Sequence, residues 1–214
     1  MTRDDEAAWR IGILYSRSGV TDATESEHFF GTVLAIEEIN ASAGVAGRLL
    51  DPVAYDPKCD ADEYRRLATR MLQEDDVTVI FGCSTSSSRK AVLPVIERNN
   101  ALLWYCSIYE GFEYSPNVIY TGAVPNQNSM QLAAWLLRNR GRRFFLVGAD
   151  YIYPRESNRI MRDIVEEHGG EIVDEVYLPS DAEPAALETV VAEIARMRPD
   201  VVFSTLIGRG ARAF

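Results

Sequence analysis

The chain has 214 residues, 47% of them hydrophobic and 25% charged, which is the composition of a folded globular protein and excludes a disordered one. At roughly 100–200 residues per domain it holds one large domain or two modest ones. With 22 basic residues against 32 acidic ones the formal net charge is −10, which opposes broad contact with a phosphate backbone and argues against direct nucleic-acid binding.

No apolar run approaches the roughly 18–20 residues of a membrane span, so no membrane insertion is expected. Residues 1–8 are polar and acidic and lack the basic start, apolar stretch and small-residue cleavage site of a signal peptide. The expected location is therefore the cytoplasm, with the periplasm as the alternative if a leader has been removed. Cys59, Cys83 and Cys106 are odd in number and lack CxxC spacing, so free thiols are expected, with a Cys59–Cys83 bridge as the alternative.

In chain order, residues 10–15 form a short apolar run that ends in the turn Ser16-Arg17-Ser18-Gly19 and leads into a helical pattern over 25–40. There Phe29, Val33, Ile36 and Ile39 recur at spacings of three and four, while Glu37 and Glu38 face away. Gly44 and Gly47 close the helix before a strand at 49–55. A helix at 61–74, a strand at 77–81, a helix at 86–99 interrupted by Pro94, and a strand at 101–105 continue the alternation. After a loop rich in Tyr, Glu, Gly and Pro comes a short strand at 118–121. Helices at 126–139, 154–168 and 185–197 then alternate with strands at 144–147, 171–178 and 201–205, and 208–214 reads as a loop and the first turn of a helix.

Continuous apolar strands joined by amphipathic helices imply parallel sheets covered on both faces. The fold class is α/β, with two doubly wound, Rossmann-like lobes facing across a cleft. Gly122 and Pro125 interrupt the rhythm, which puts the boundary between residues 1–121, a ligand-binding lobe, and 122–214, a partial second lobe.

Ligands of open parallel sheets bind beyond the carboxyl ends of the strands. Those ends carry Cys83-Ser84-Thr85-Ser86-Ser87-Ser88, Tyr105-Cys106-Ser107-Ile108, Asp150-Tyr151-Ile152-Tyr153 and Ser204-Thr205. Ser86 or Ser87 suits a helix cap, or a hydroxyl offered to a ligand at the same helix start. Tyr105, Tyr151 and Tyr153 fit either edge packing or a pocket wall. Their gathering with neutral hydroxyls at one edge suits a small uncharged solute. The serine run lacks the second glycine of a P-loop. His28 and His168 fall in helix patterns, and no nucleophile elbow, HExxH pair or carboxylate cluster stands at a strand end, so no enzymatic activity, metal or other cofactor is expected.

The stretches Gly82-Cys83 to Ser86, Arg89-Lys90-Ala91-Val92-Leu93-Pro94-Val95 and Tyr109-Glu110-Gly111-Phe112-Glu113-Tyr114-Ser115-Pro116-Asn117 resemble the type I periplasmic-binding-protein fold in its short-chain amide and urea branch. Asp150-Tyr151-Ile152-Tyr153-Pro154-Arg155-Glu156-Ser157-Asn158 is similar, more narrowly, to the cytoplasmic amide sensors of that branch, which regulate amidase expression.

The resemblance implies two lobes that close on a small neutral amide or urea, and a sensor that holds an antiterminator regulator protein inactive until an amide arrives. A solute-binding component of an amide, urea or amino-acid ABC transporter is the alternative. It further implies a ligand between Ser86, Tyr105, Ser107, Tyr151 and Tyr153, and a homodimer formed through the first lobe. Where the sensors carry an aromatic residue this chain has Ser84, and where they carry Pro-Thr-Pro it has Cys106-Ser107-Ile108. Ser84 enlarges the pocket and Ile108 fills it again. Relatives of this branch continue well past Phe214, so the second lobe is expected to be incomplete.

Overall fold

The structure is a computed structural model and describes residues 8–214. The polar N-terminal stretch on which the location reading rests lies outside the described residues, apart from Ala8. The chain divides into two units, each with its own parallel sheet.

Unit 1 runs to Ser107 and resumes over Glu113–Gly122. It contains β1 (Trp9–Leu14), α1 (Asp22–Ala41), β2 (Leu50–Tyr55), α2 (Ala61–Gln73), β3 (Val79–Gly82), α3 (Ser86–Arg98), β4 (Leu102–Tyr105) and β5 (Val118–Tyr120). The strands pair in parallel in the order β2-β1-β3-β4-β5, with Ile13 of β1 level with Ala54 on one side and Phe81 on the other. The strand order reverses direction between β1 and β3, and there the crevice of a doubly wound sheet opens.

Alternation along β1 sends Ile11, Ile13 and Tyr15 to one sheet face, where they pack with Phe29, Val33 and Ile36 of α1. Helices α2 and α3 pack side by side and contact β1 and β4, respectively. The side chain of Asp60 starts α2 by accepting from the Glu63 amide at 2.9 Å. Pro94 does not interrupt α3, which runs unbroken from Ser86 to Arg98. Pro94 lies on the exposed side, where water can reach the Lys90 carbonyl that it leaves unbonded.

The expected single apolar stripe of α1 is only partly realised. Phe30 and Leu34 point to solvent at 62% and 56% exposure, and Ile39 is also exposed. Apolar residues surround this helix, so periodicity alone does not select its inner face. Between α1 and the sheet lies an apolar cavity of about 650 Å³, lined among others by Ile11, Ile36, Val79, Phe81 and Trp104. The Phe81 and Trp104 rings stack there at 5.6 Å.

Unit 2 comprises Ile108–Phe112 and Ala123–Phe214. It contains α4 (Ser129–Asn139), β6 (Arg143–Ala149), α5 (Ile152–Glu167), β7 (Glu171–Leu178), α6 (Pro184–Met197), β8 (Val201–Thr205) and α7 (Gly208–Ala213). Its parallel strands run β7-β6-β8. Phe144 and Leu146 of β6 face Ala133, Met161 and Val165 of α4 and α5, while Phe145 and Val147 face Leu187 and Val190 of α6. Both sheets are thus covered on two faces, as the α/β reading requires. Sequence pattern assigned 108–112 to the first lobe, whereas the contacts of this short stretch group it with unit 2. Gly111 and Phe112, both with positive φ (79° and 60°), turn the chain there.

Candidate functional site

The unit 1 residues with the best chemistry stand beyond β3 and β4. Gly82 ends β3 against β1, where a Cβ would lie 2.6 Å from the Leu14 carbonyl, so no larger residue fits. Cys83 follows with φ of 65° and donates its amide to the Leu14 carbonyl at 3.0 Å. This turn delivers Ser84 to the sheet edge. The next helix is capped by Thr85, not by Ser86 or Ser87. The Thr85 hydroxyl accepts from the Ser88 amide at 3.2 Å, and the Ser88 hydroxyl accepts from the Thr85 amide at 3.2 Å, a reciprocal capping box. Ser86 is buried at 1% exposure in the first helical turn.

Ser84, Tyr105 and Ser107 come together. The Tyr105 hydroxyl donates to the Ser84 carbonyl at 2.8 Å, and the Ser107 hydroxyl donates to the Ser84 hydroxyl at 3.2 Å. Tyr105 is thereby a buried wall whose phenol proton is committed to the backbone, which differs from its expected role as a direct ligand partner. Ser84 is half-buried and its hydroxyl retains further hydrogen-bonding capacity.

The cations that follow the strand ends of each unit are paired. Arg89 and Lys90 both bind Glu113, at 2.5 and 2.8 Å, and Arg155 binds Asp150 at 2.7 Å. Burial pushes the Glu113 carboxyl upward, but hydrogen bonds from Lys90 and Arg89 outweigh it and hold the group below the usual carboxylate range.

A second cluster, at the end of β1, has no motif in the sequence to mark it. Glu25, 1% exposed, accepts from the Ser16 amide at 2.7 Å, from the Thr21 hydroxyl at 2.5 Å and from the Tyr64 hydroxyl. The Ser16 hydroxyl also accepts from the Cys59 amide at 2.8 Å, tying the β1 and β2 loops together. Burial raises the Glu25 carboxyl above its ordinary value despite these donors. A Glu in the first turn of a helix reads as a dipole partner; only the Thr21…Glu25 spacing of four hinted at an inward-facing group.

In unit 2, Tyr151 occupies the N-cap of α5 with extended backbone and no side-chain cap bond, and Asp150 pairs with Arg155. Tyr151 and Tyr153 lie two residues apart at the start of α5, both half-buried. Burial pushes both phenols up, and the nearby Glu110 adds to the effect on each. Glu110, itself 4% exposed, is a carboxylate beside the two tyrosines that sequence reading did not single out. Ile108 is exposed at 48%. Thr205 is turned into the interior of unit 2, where its hydroxyl contacts the Asn158 side-chain oxygen at 3.1 Å and the Val147 carbonyl at 3.3 Å. The strand-end position of Thr205 suggested a ligand contact, but alternation along β8 buries this side chain.

All three cysteines are free, so the alternative Cys59–Cys83 bridge does not form. The Cys59 thiol instead lies 2.9 Å from the Thr21 hydroxyl, and Cys83 is buried. Burial lowers His28, and His168 caps the C-terminal end of α5 with its ring Nδ1 2.8 Å from the Ile164 carbonyl. Among the described residues no group of three His, Cys, Asp or Glu side chains is placed to hold a metal, and no helix is long and apolar enough to cross a membrane.

The chain resembles solved solute-binding proteins throughout its length. A solute-binding protein of an ABC transporter from Rhodopseudomonas palustris BisB5, in complex with 3,4-dihydroxybenzoic acid, superposes with a TM-score of 0.84 at 20% identity over 94% of this chain and 55% of the other. A leucine-binding protein from Thermotoga maritima MSB8 gives 0.77 at 18% identity over 91% of this chain and 55% of that one. An ABC transporter substrate-binding protein from Sphaerobacter thermophilus gives 0.74 at 24% identity over 93% and 55%. The chain therefore spans about half the length of the solved proteins it matches. The family model described as the periplasmic binding protein domain matches residues 9–214. With this match and two doubly wound sheets, the chain belongs to the periplasmic binding protein family, a family of binding proteins rather than enzymes, and has its type I fold.

Proposed function

We propose that this chain is a solute-binding component serving an ABC transporter, and that its ligand is small, polar and uncharged, an aliphatic amide or urea. The transporter part is supported by the solved relatives, which are predominantly transporter binding proteins. The ligand class rests on one observation. The strand ends of unit 1 carry the hydroxyls of Ser84 and Ser107, within 3.2 Å of each other, and its cations Arg89 and Lys90 are matched to Glu113, as Arg155 of unit 2 is to Asp150. A carboxylate ligand would compete with Glu113 or Asp150 for its counter-charge. An amide needs only neutral donors and acceptors, and a buried mismatch costs about 1–3 kcal/mol per unpaired group. Unit 2 carries a polar set of its own at its strand end, Tyr151 and Tyr153 with Glu110 nearby.

The Asp150 to Asn158 stretch favours a second reading, an amide sensor that controls an antitermination regulator protein and dimerises through its first lobe. Location separates the two. The transporter reading expects the natural protein in the periplasm and the sensor reading in the cytoplasm, so fractionation of cells expressing it from its own gene decides between them. The ligand class is tested by isothermal titration of the chain with acetamide, butyramide and urea beside isoleucine and benzoate. Saturable binding of a neutral compound is the expected result, and binding confined to the two carboxylates overturns the proposal.

A further inference from the structure

Arg89 is the largest side chain buried below 2% exposure among the described residues, and it lies in the helix that the serine loop starts, three residues beyond Ser86. A cation at this depth persists only with a partner, and Glu113 supplies it through Arg89 Nε at 2.5 Å. The same carboxylate accepts from the Tyr120 hydroxyl at 3.0 Å and from Lys90 at 2.8 Å. The Arg89 guanidinium lies 4.8 Å from the centre of the Tyr105 ring and 5.9 Å from that of Tyr120, and the two rings meet edge to face at 6.1 Å. Tyr105 is thus held twice. Its ring is gripped by the guanidinium and the Tyr120 edge, and its hydroxyl is fixed to the Ser84 carbonyl at 2.8 Å.

We propose that Arg89, anchored by Glu113, is a positioning residue that fixes Tyr105 and through it the orientation of the Ser84 and Ser107 hydroxyls. The inference rests on the reading of those hydroxyls as ligand contacts. A planar guanidinium suits the role because it stacks on rings while its in-plane N–H groups bind a carboxylate, which an ammonium group cannot do in one orientation. A flexible tyrosine ring would leave the Ser84 peptide free to turn and the 3.2 Å hydroxyl pair free to separate. Preorganised polar groups lose less entropy when a ligand arrives.

The test uses Arg89→Met and Glu113→Gln, with Ile80→Val as a core variant that reports general loosening of the same sheet. Two quantities are read: the affinity for acetamide, and the ring resonances of Tyr105 in a tyrosine-labelled sample, assigned with Tyr105→Phe. The expected result is acetamide binding weakened by about tenfold in Arg89→Met, the factor one lost polar contact is worth, with shifted or broadened Tyr105 resonances. Glu113→Gln moves both quantities in the same direction by less, and carries the test if Arg89→Met does not fold. Ile80→Val leaves both near wild type. Unmoved Tyr105 resonances in Glu113→Gln, or moved resonances with unchanged affinity, overturn the proposal. If the wild-type chain binds no neutral probe, the ligand reading falls, and the clamp is judged on the Tyr105 resonances alone.

Discussion

Replacing Tyr105 with Phe separates a wall residue from a ligand contact. The substitution removes one hydroxyl and leaves the ring in place between Arg89 and Tyr120. The atom that loses its partner is the Ser84 carbonyl, which received the phenol proton at 2.8 Å. A fully buried orphaned carbonyl costs about 1–3 kcal/mol, but Ser84 is half-buried and water can replace part of the bond, so about 1 kcal/mol is expected. With a urea m-value of about 2 kcal/mol/M this moves the unfolding midpoint down by about 0.5 M. The assay is urea denaturation followed by fluorescence, beside acetamide titration of the folded variant. The expected outcome is the lower midpoint with a modest loss of affinity. An unchanged midpoint together with abolished binding would show that the phenol faces the ligand and not Ser84, and the reasoning would fail.

The remaining expectations concern burial. Thr205→Val, which removes a hydroxyl bonded to Asn158 and Val147, is expected to destabilise unit 2 by about 1–2 kcal/mol without altering ligand affinity; lost affinity at unchanged stability would return Thr205 to the ligand site. Burial raises the Glu25 carboxyl, so the folded state holds this proton more tightly than the unfolded chain. The contribution to stability is complete below the ordinary glutamate value of 4.5 and is lost as pH rises through the raised folded value. Glu25→Gln keeps an acceptor for Ser16 and Tyr64 and is expected to remove that part of the pH slope; parallel stability curves for variant and wild type between pH 4 and 8 would contradict it. Of the 3 cysteines, Cys83 is expected to resist a thiol reagent until the chain unfolds, while partly exposed Cys59 and Cys106 react in the native protein. Native labelling of Cys83 would show that its burial is wrong.

The architecture was legible because each strand is an apolar run closed by a polar turn and each helix repeats apolar residues at three and four. The strands at residues 171–178 and 201–205 fall where the pattern sets them. Periodicity was least informative where apolar residues surround the element, as in α1, whose Phe30 and Leu34 lie outside while Phe29 and Val33 lie inside. Chain position identified the hydroxyls of the candidate site but not their partners. Whether Tyr105 addresses a ligand or the Ser84 carbonyl depends on side-chain direction at a strand end, and that depends on Arg89 and Glu113, which stand 24 residues apart. The burial of Glu25 follows from Tyr64, 39 residues away, and could not be read from its own helix. The grouping of Ile108–Phe112 with unit 2 is likewise a long-range property, because the backbone reversal at Gly111 and Phe112 gives no apolar signal.

The central claim is that the hydroxyls beyond β3 and β4 hold a small uncharged ligand. Its most direct test is calorimetric titration of acetamide into the wild-type chain and into the double variant Ser84→Ala/Ser107→Ala, with thermal melts confirming that both are folded. Saturable binding by the wild type and its loss in the folded double variant are expected. Equal binding by both chains would contradict the claim.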